Sequence, residues 1–197
     1  MKVLIACEFS GLVREAFTKA GADATSCDLL DTEIPGKHHQ GDVLPLAYGG
    51  GFDMMVAFPP CTHLAVSGAR WFPEKRKDGR QQQGIDFFMQ LIEAPIAQIA
   101  VENPIGIMST HYKKPAQIVQ PYYFGDPERK ATCLWLKNLA PLVHIAEGEE
   151  KTHVPVDYIV SKSGDKFTRI HYLGGGKGKE RSKTFPGIAR AMAEQWA

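Results

Sequence analysis

The residues Phe58-Pro59-Pro60-Cys61 close an apolar run of strand length, Met54 to Phe58, with two φ-locked residues and then a thiol. Paired prolines stop a strand and stiffen the turn that follows. A cysteine in such a turn is partly exposed among backbone N–H groups, which favours a thiolate nucleophile; inside a core the same residue is a small, inert hydrophobe. Forty-one residues on (102 − 61 = 41), a second apolar run ends in Glu102-Asn103-Pro104. Parallel strands lying side by side would bring Cys61 and Glu102 to one edge of a sheet. There a carboxyl beside a nucleophilic thiol can serve as the acid for a nitrogen heterocycle. A third cluster, Cys7-Glu8-Phe9-Ser10-Gly11, falls between a strand and a helix start, with Asp28 at the next strand end. Strand, tight turn and helix N-terminus make a cofactor cradle, and an acid at the following strand end can take ribose hydroxyls.

Bringing these groups to one edge requires a particular order of elements. "KVLIAC" reads as a buried strand, and "GLVREAFTKA" as a helix with apolar residues at helical spacing, Ser10 available as its cap and Gly21 as its end. "ADATSCDLL" and "GFDMMVAF" are further strands, followed by a polar stretch to Arg80. "QQQGIDFFMQLIEA" predicts an amphipathic helix and "PIAQIAVEN" the strand that ends at Glu102. Strand and helix alternating at these lengths imply right-handed crossovers and a parallel sheet covered on both faces. The second half is less regular: "ATCLWL" and "KFTRIHYL" read as strands, "EGEEK" and "SKSGDK" as turns or loops, and "GGGKGKERSK" as a flexible basic loop. "FPGIARAMAEQWA" is a closing helix with Thr184 as its cap and Pro186 in its first turn.

The 197 residues suit one domain, and a net charge of +1 means that any basic face must be local. Two runs qualify: Arg70, Lys75, Arg76, Lys77 and Arg80 after the cysteine, and Lys177, Lys179, Arg181 and Lys183 near the end. No apolar run reaches the roughly 18 residues of a membrane span, and Glu8 and Arg14 follow the first apolar run too closely for a cleaved signal. Four widely spaced cysteines without a CxxC pair argue against a disulfide framework or a zinc ribbon, and His38, His39 and His63 lack ligand spacing, so no metal is expected. A reducing cytoplasm is the expected location, that of a host cell if the chain is phage-encoded.

"FPPCTHLAVSG", "DGRQQQGIDFFMQLI" and "VENPIG", in that order and spacing, resemble the DNA cytosine-5 methyltransferases, which carry a Pro-Cys nucleophile motif and a Glu-Asn-Val motif. The likeness spans most of the chain and is greatest to short bacteriophage versions. "EFSG" resembles the family's Phe-x-Gly-x-Gly cofactor loop with one glycine of three, Asp28 its ribose-binding acid, and "GDV" (41–43) its adenine-contacting segment. "YYFGDPERKATCLWL" resembles the Gln-x-Arg-x-Arg segment and the strand after it; it reads Glu128-Arg129-Lys130-Ala131-Thr132, leaving Arg129 or Lys130 as the anchor. "SKTFPGIARAMAEQW" resembles the closing helix motif.

The resemblance implies an α/β, Rossmann-like S-adenosylmethionine-dependent methyltransferase: a mostly parallel sheet with helices on both faces, in a single domain over 1–197. A small irregular insertion at about 140–182 would stand in place of a target-recognition domain. It implies methyl transfer from S-adenosylmethionine to carbon 5 of cytosine, in DNA, with no membrane partner. Cys61 would be the nucleophile, Glu102 the acid at ring nitrogen 3, Asn103 the shaper of the turn, and Arg129 and Lys130 the anchors. Glu8, Phe9, Ser10, Gly11, Asp28, Leu29, Asp42, Val43, Pro59 and Phe185 would hold the cofactor. Ser67, Arg70, Arg80, Lys177, Lys179 and Arg181 would hold nucleic acid. Three alternatives stay open: a catalytically silent binding module, the same chemistry on RNA or a free nucleotide, and, on the Pro-Pro pair, exocyclic-amine methylation. The last would need a polar acceptor where Phe58 stands and an aromatic residue where Cys61 stands.

Overall fold

A computed structural model of the chain describes residues 1–144, 156–168 and 178–197. The continuous apolar runs form strands buried on both faces, as parallel sheets require. Val3 to Ala6 of β1 (Lys2–Ala6) and the whole of β4 (Met54–Ala57) have no exposed surface. Between and after them lie α1 (Leu12–Lys19), β2 (Asp23–Asp28), β3 (His38–Gln40), α2 (Leu44–Gly49), α3 (Phe72–Lys77), α4 (Arg80–Ile92), β5 (Gln98–Pro104), α5 (Met108–His111), β6 (Gln117–Val119) and β7 (Thr132–Lys137). These strands make a seven-stranded sheet in the order β3-β2-β1-β4-β5-β7-β6, parallel from β3 to β5, with β7 antiparallel to both neighbours. The fold class is the expected α/β one, a mostly parallel, Rossmann-like sheet with helices on both faces.

Two apolar layers sandwich the sheet. On one face α1 and the closing helix α7 (Pro186–Trp196) bring Val13, Phe17, Ile188, Met192 and Trp196 against Val3, Ile5 and Val56. On the other, α4 buries Ile85, Phe88, Leu91 and Ile92 against Leu4, Met55 and Ile99, and Phe88 meets Trp135 of β7 edge-on at 5.1 Å. Burying each such side chain contributes about 1.5–3 kcal/mol.

Several local expectations are corrected. The polar stretch before Arg80 contains a 3-10 turn (Val66–Trp71) and α3. Gly11, at φ 78°, holds the N-cap position of α1 in place of Ser10, whose hydroxyl accepts the Leu12 N–H at 3.3 Å. Phe185 in extended backbone, not Thr184, precedes α7, and the carboxylate of Asp126 caps that helix by accepting the Gly187 N–H at 2.8 Å. "KFTRIHYL" contributes β9 (Lys166–Thr168), paired in a hairpin with β8 (Tyr158–Val160), and its remaining residues lie outside the described ones. The basic glycine loop includes a helical turn, α6 (Gly178–Ser182). No helix among the described residues is long and apolar enough to cross a membrane.

Candidate active site

The pairing of Ala57 with Val101 sends the turns after β4 and β5 out of the same sheet edge. The turn that carries Cys61 is tied on several sides. Phe58 N–H donates to the Ala6 carbonyl at 2.9 Å, and the buried Asn103 amide donates to the Pro59 carbonyl at 2.9 Å. The Cys61 carbonyl accepts the N–H groups of Leu64 and Ala65, while the ammonium of Lys75, itself buried, donates to the Thr62 carbonyl at 2.5 Å. Burial pushes the Cys61 thiol above its ordinary pKa and the charge of Glu102 pushes it further; Lys130, a backbone hydrogen bond and Arg181 pull it back. Thiol, carboxyl and two cations therefore lie within electrostatic reach of one another. The other thiols lack such cations: burial lifts Cys27 and Cys133 to about 11, and burial with Asp28 drives Cys7 higher still.

Glu102 keeps part of its surface on a cleft while its carboxyl is withdrawn from water, which raises its pKa against the opposing charge of Lys130. The Thr132 hydroxyl, on the antiparallel neighbour β7, donates to Glu102 Oε1. The cleft, about 300 Å³, has Glu102, Lys130 and Thr132 on one side and Ser182 to Phe185 with Ile188 on the other. Lys130 spans it: its Nζ donates to the Arg181 carbonyl at 2.9 Å and stands 5.9 Å from the centre of the Phe185 ring.

The cluster expected to form a cofactor cradle gathers at the tips of β1, β2 and β3. Glu8 and Ser10 are buried; the Ser10 hydroxyl donates to Glu8 Oε1, and Glu8 Oε2 is buried without a hydrogen-bond partner. Phe9 is buried beneath the ammonium of Lys179, 4.8 Å from its ring centre. A Cβ on Gly11 would come within 2.8 Å of both Arg14 Nη2 and Ile34 Cβ, so the glycine is demanded by the following loop. That loop is held by Arg14, which is 2% exposed and donates to Ser26 Oγ, Thr32 Oγ1 and the carbonyls of Ile34 and Pro35. Asp28 Oδ1 accepts the Leu30 N–H and Asp42 Oδ1 the Leu44 N–H, and the Gly41 N–H on the Asp28 carbonyl draws the two acids together. Leu29 is 74% exposed beside them. An unpaired buried carboxylate oxygen, two acids and an exposed apolar side chain suit a ligand with an ammonium, hydroxyls and a flat apolar face.

No protein-family model and no curated protein sequence matches the chain. Among solved structures it is similar to a protein described as a DNA modification methyltransferase encoded within an E. coli prophage, with 18% identity and a TM-score of 0.49 over 69% of this chain and 46% of that one. It is also similar to the S. pombe Dnmt2 methyltransferase, with 15% identity and a TM-score of 0.43 over 72% and 50%. The chain spans about half the length of these two proteins.

Cys61, Glu102, Asn103 and Lys130 thus gather at one place with Pro59 and Phe185, while Arg129 is exposed and its charge acts on Tyr122. Val43 places its side chain in the core with Ala47. Ser67 and Arg70 are exposed on the 3-10 turn. Arg80 is forked between Glu74 at 2.6 Å and Asp78 at 2.5 Å, and Lys75 is buried under Thr62, so neither offers an open cation. Lys179 and Lys183 both pair with Glu33, at 3.4 and 2.8 Å, and Arg181 joins the charges around Cys61. Lys177 lies outside the described residues. Glu33 and Arg14 carry no motif signal; Thr132 ends the segment that resembles Gln-x-Arg-x-Arg, which was the one available hint.

Proposed function

We propose that this protein transfers a methyl group from S-adenosylmethionine to carbon 5 of cytosine in DNA through a covalent adduct at Cys61. The observation that carries the reading is the convergence of the Cys61 thiol and the Glu102 carboxyl, with Lys130, at adjacent strand tips. S-adenosylmethionine supplies an electrophilic methyl group when bound. Glu8 Oε2, buried without a partner, would take its ammonium; Asp28 would take the ribose hydroxyls, and Asp42 with Leu29 would face the adenine.

Carbon 5 of cytosine is too electron-poor to accept a methyl group unaided. The Cys61 thiolate adds to carbon 6, and Glu102 gives its proton to ring nitrogen 3, neutralising charge where it develops. The raised pKa of Glu102 favours the protonated form that this step needs. A protonated Glu102 no longer opposes ionisation of the thiol, and Lys130 and Arg181 then offset part of the cost of burial. Carbon 5 takes the methyl group and loses its proton to water; the sulfur–carbon bond then breaks, returning the thiolate, and the proton on nitrogen 3 goes back to Glu102. Asn103, through Pro59, fixes the attack geometry. The thiol approaches the face of the ring, so the base must be out of its stack, at about a few kcal/mol from a duplex. The stretch 140–182 takes the place of a target-recognition domain.

With S-adenosylmethionine and DNA containing 5-fluorocytosine, the protein should form a covalent adduct stable to denaturation, and Cys61→Ser should form none. An adduct of undiminished yield in Cys61→Ser would remove the nucleophile from its role.

A further inference from the structure

Resting on that reading of the site, we propose that Trp71 is a stacking platform for a nucleobase beside the target, and that the preferred substrate is single-stranded nucleic acid. Of the three tryptophans, Trp135 and Trp196 are buried at 0% and 7% exposure, whereas Trp71 is 50% exposed. The guanidinium of Arg70 lies 4.9 Å from the centre of the Trp71 ring, so the indole is braced by a cation and still half open. An exposed aromatic ring next to a cation is the element by which proteins hold unpaired bases, because each base offers a π-face and each linkage a phosphate.

The platform is built into the catalytic turn. Val66, which opens the 3-10 turn ending at Trp71, donates its N–H to the Ile105 carbonyl at 3.0 Å, and Ile107 N–H donates to the Leu64 carbonyl at 3.0 Å. A Cβ on Gly106 would lie 2.3 Å from the Leu64 carbonyl oxygen, so the turns after β4 and β5 are in close backbone contact. Lys75 of α3, the helix that Trp71 leads into, grips Thr62 next to Cys61. Trp71 is therefore held at a fixed offset from the thiol before any substrate arrives.

Charge and shape agree on the partner. Arg70, Arg76 and Lys77 are exposed, and no carboxylate among the described residues pairs with them, because Arg80 occupies both Glu74 and Asp78. Val66 and Ile105, 54% and 43% exposed, extend the apolar surface between the cations and the turn. In a duplex the faces of the bases are already covered by their neighbours, so a base can lie on Trp71 only after unstacking. A single strand needs neither that nor extrusion of the target.

The test uses the intact protein and oligothymidylate, which contains no cytosine and so reads the platform apart from the chemistry. Tryptophan emission should be quenched on adding the oligomer, since the other two indoles are buried. Trp71→Ala should bind it about tenfold or more weakly, Trp71→Phe within about threefold of wild type, and a duplex of equal length should bind the wild type about tenfold more weakly than the single strand. Absence of quenching, wild-type affinity in Trp71→Ala, or tighter binding of the duplex would each overturn the proposal. Formation of the Cys61 adduct by the wild type reports the underlying activity separately, so either reading can fail alone.

Discussion

The strand-tip edge has two halves that treat their polar groups in opposite ways. Around β4, β5 and β7 most are bonded inward: Asn103 to Pro59, Thr132 to Glu102, Lys75 to Thr62, Lys130 to the Arg181 carbonyl, though Asn103 Oδ1 and His63 Nδ1 are buried without a partner. Around β1, β2 and β3 the acids are left with capacity. Glu8 Oε2 has no partner, Asp28 and Asp42 use Oδ1 on neighbouring N–H groups, and Leu29 faces solvent. On the proposed reading bond-making belongs to the first half, where reacting atoms must be fixed within fractions of an ångström and the protein itself supplies the braces. Holding a ligand needs open acceptors that the ligand completes.

Glu102→Gln tests the braced half and should have the largest effect. Methyl transfer should fall by about 10²–10⁴-fold, the range for loss of a general acid. At the same time the alkylation of Cys61 by iodoacetamide should shift to lower pH, because the carboxylate that raises the thiol's pKa is gone. Activity and thiol reactivity moving in the same direction would show that Glu102 acts on something other than the substrate. Asp28→Ala tests the open half: S-adenosylmethionine should bind about tenfold more weakly by calorimetry, the worth of about one charge-assisted hydrogen bond, with thermal unfolding unchanged. A falling melting temperature with unaltered affinity would make Asp28 a brace after all, erasing the contrast.

Glu33→Gln should have the smallest effect. Glu33 joins the halves, since Lys183, which it holds, belongs to the segment that walls the cleft, and Lys179 lies just before it. Hydrogen bonding to Lys183 holds its pKa below the usual carboxylate range, so the clasp contributes above the unfolded pKa and is lost as pH falls through the depressed folded one. Exposed pairs of this kind contribute about 0–1 kcal/mol. Cofactor affinity should drop by less than about fivefold in dilute buffer and converge with wild type in high salt. A difference that persists in high salt would mean that Glu33 touches the ligand.

The central strands were legible because β1, β4 and β5 are unbroken apolar runs, and their parallel pairing followed from the alternation with helices. Cys61 and Glu102 came with them, since a strand end fixes where its next residue goes. The edge strands were not legible: β3 is the polar tripeptide His38–Gln40, and β6 is three residues that pair, among the described strands, with β7 alone. The basic residues were legible in type but not in assignment. Arg80, Lys75, Lys179 and Lys183 are each taken by a protein partner, and for the last two that partner is Glu33, separated by 150 residues from Lys183 (183 − 33 = 150). Composition offers no signal for a pairing that distant.

The wall formed by Ser182 to Phe185 has a consequence for timing. A ribosome builds the chain in sequence order, so the thiol and the carboxyl leave the exit tunnel some eighty residues ahead of the segment that encloses them (182 − 102 = 80). Until that stretch docks, Lys130 lacks its contact to the Arg181 carbonyl and the cleft stands open. A nascent chain halted before residue 182 would thus carry the thiol and the carboxyl without the wall that closes their cleft.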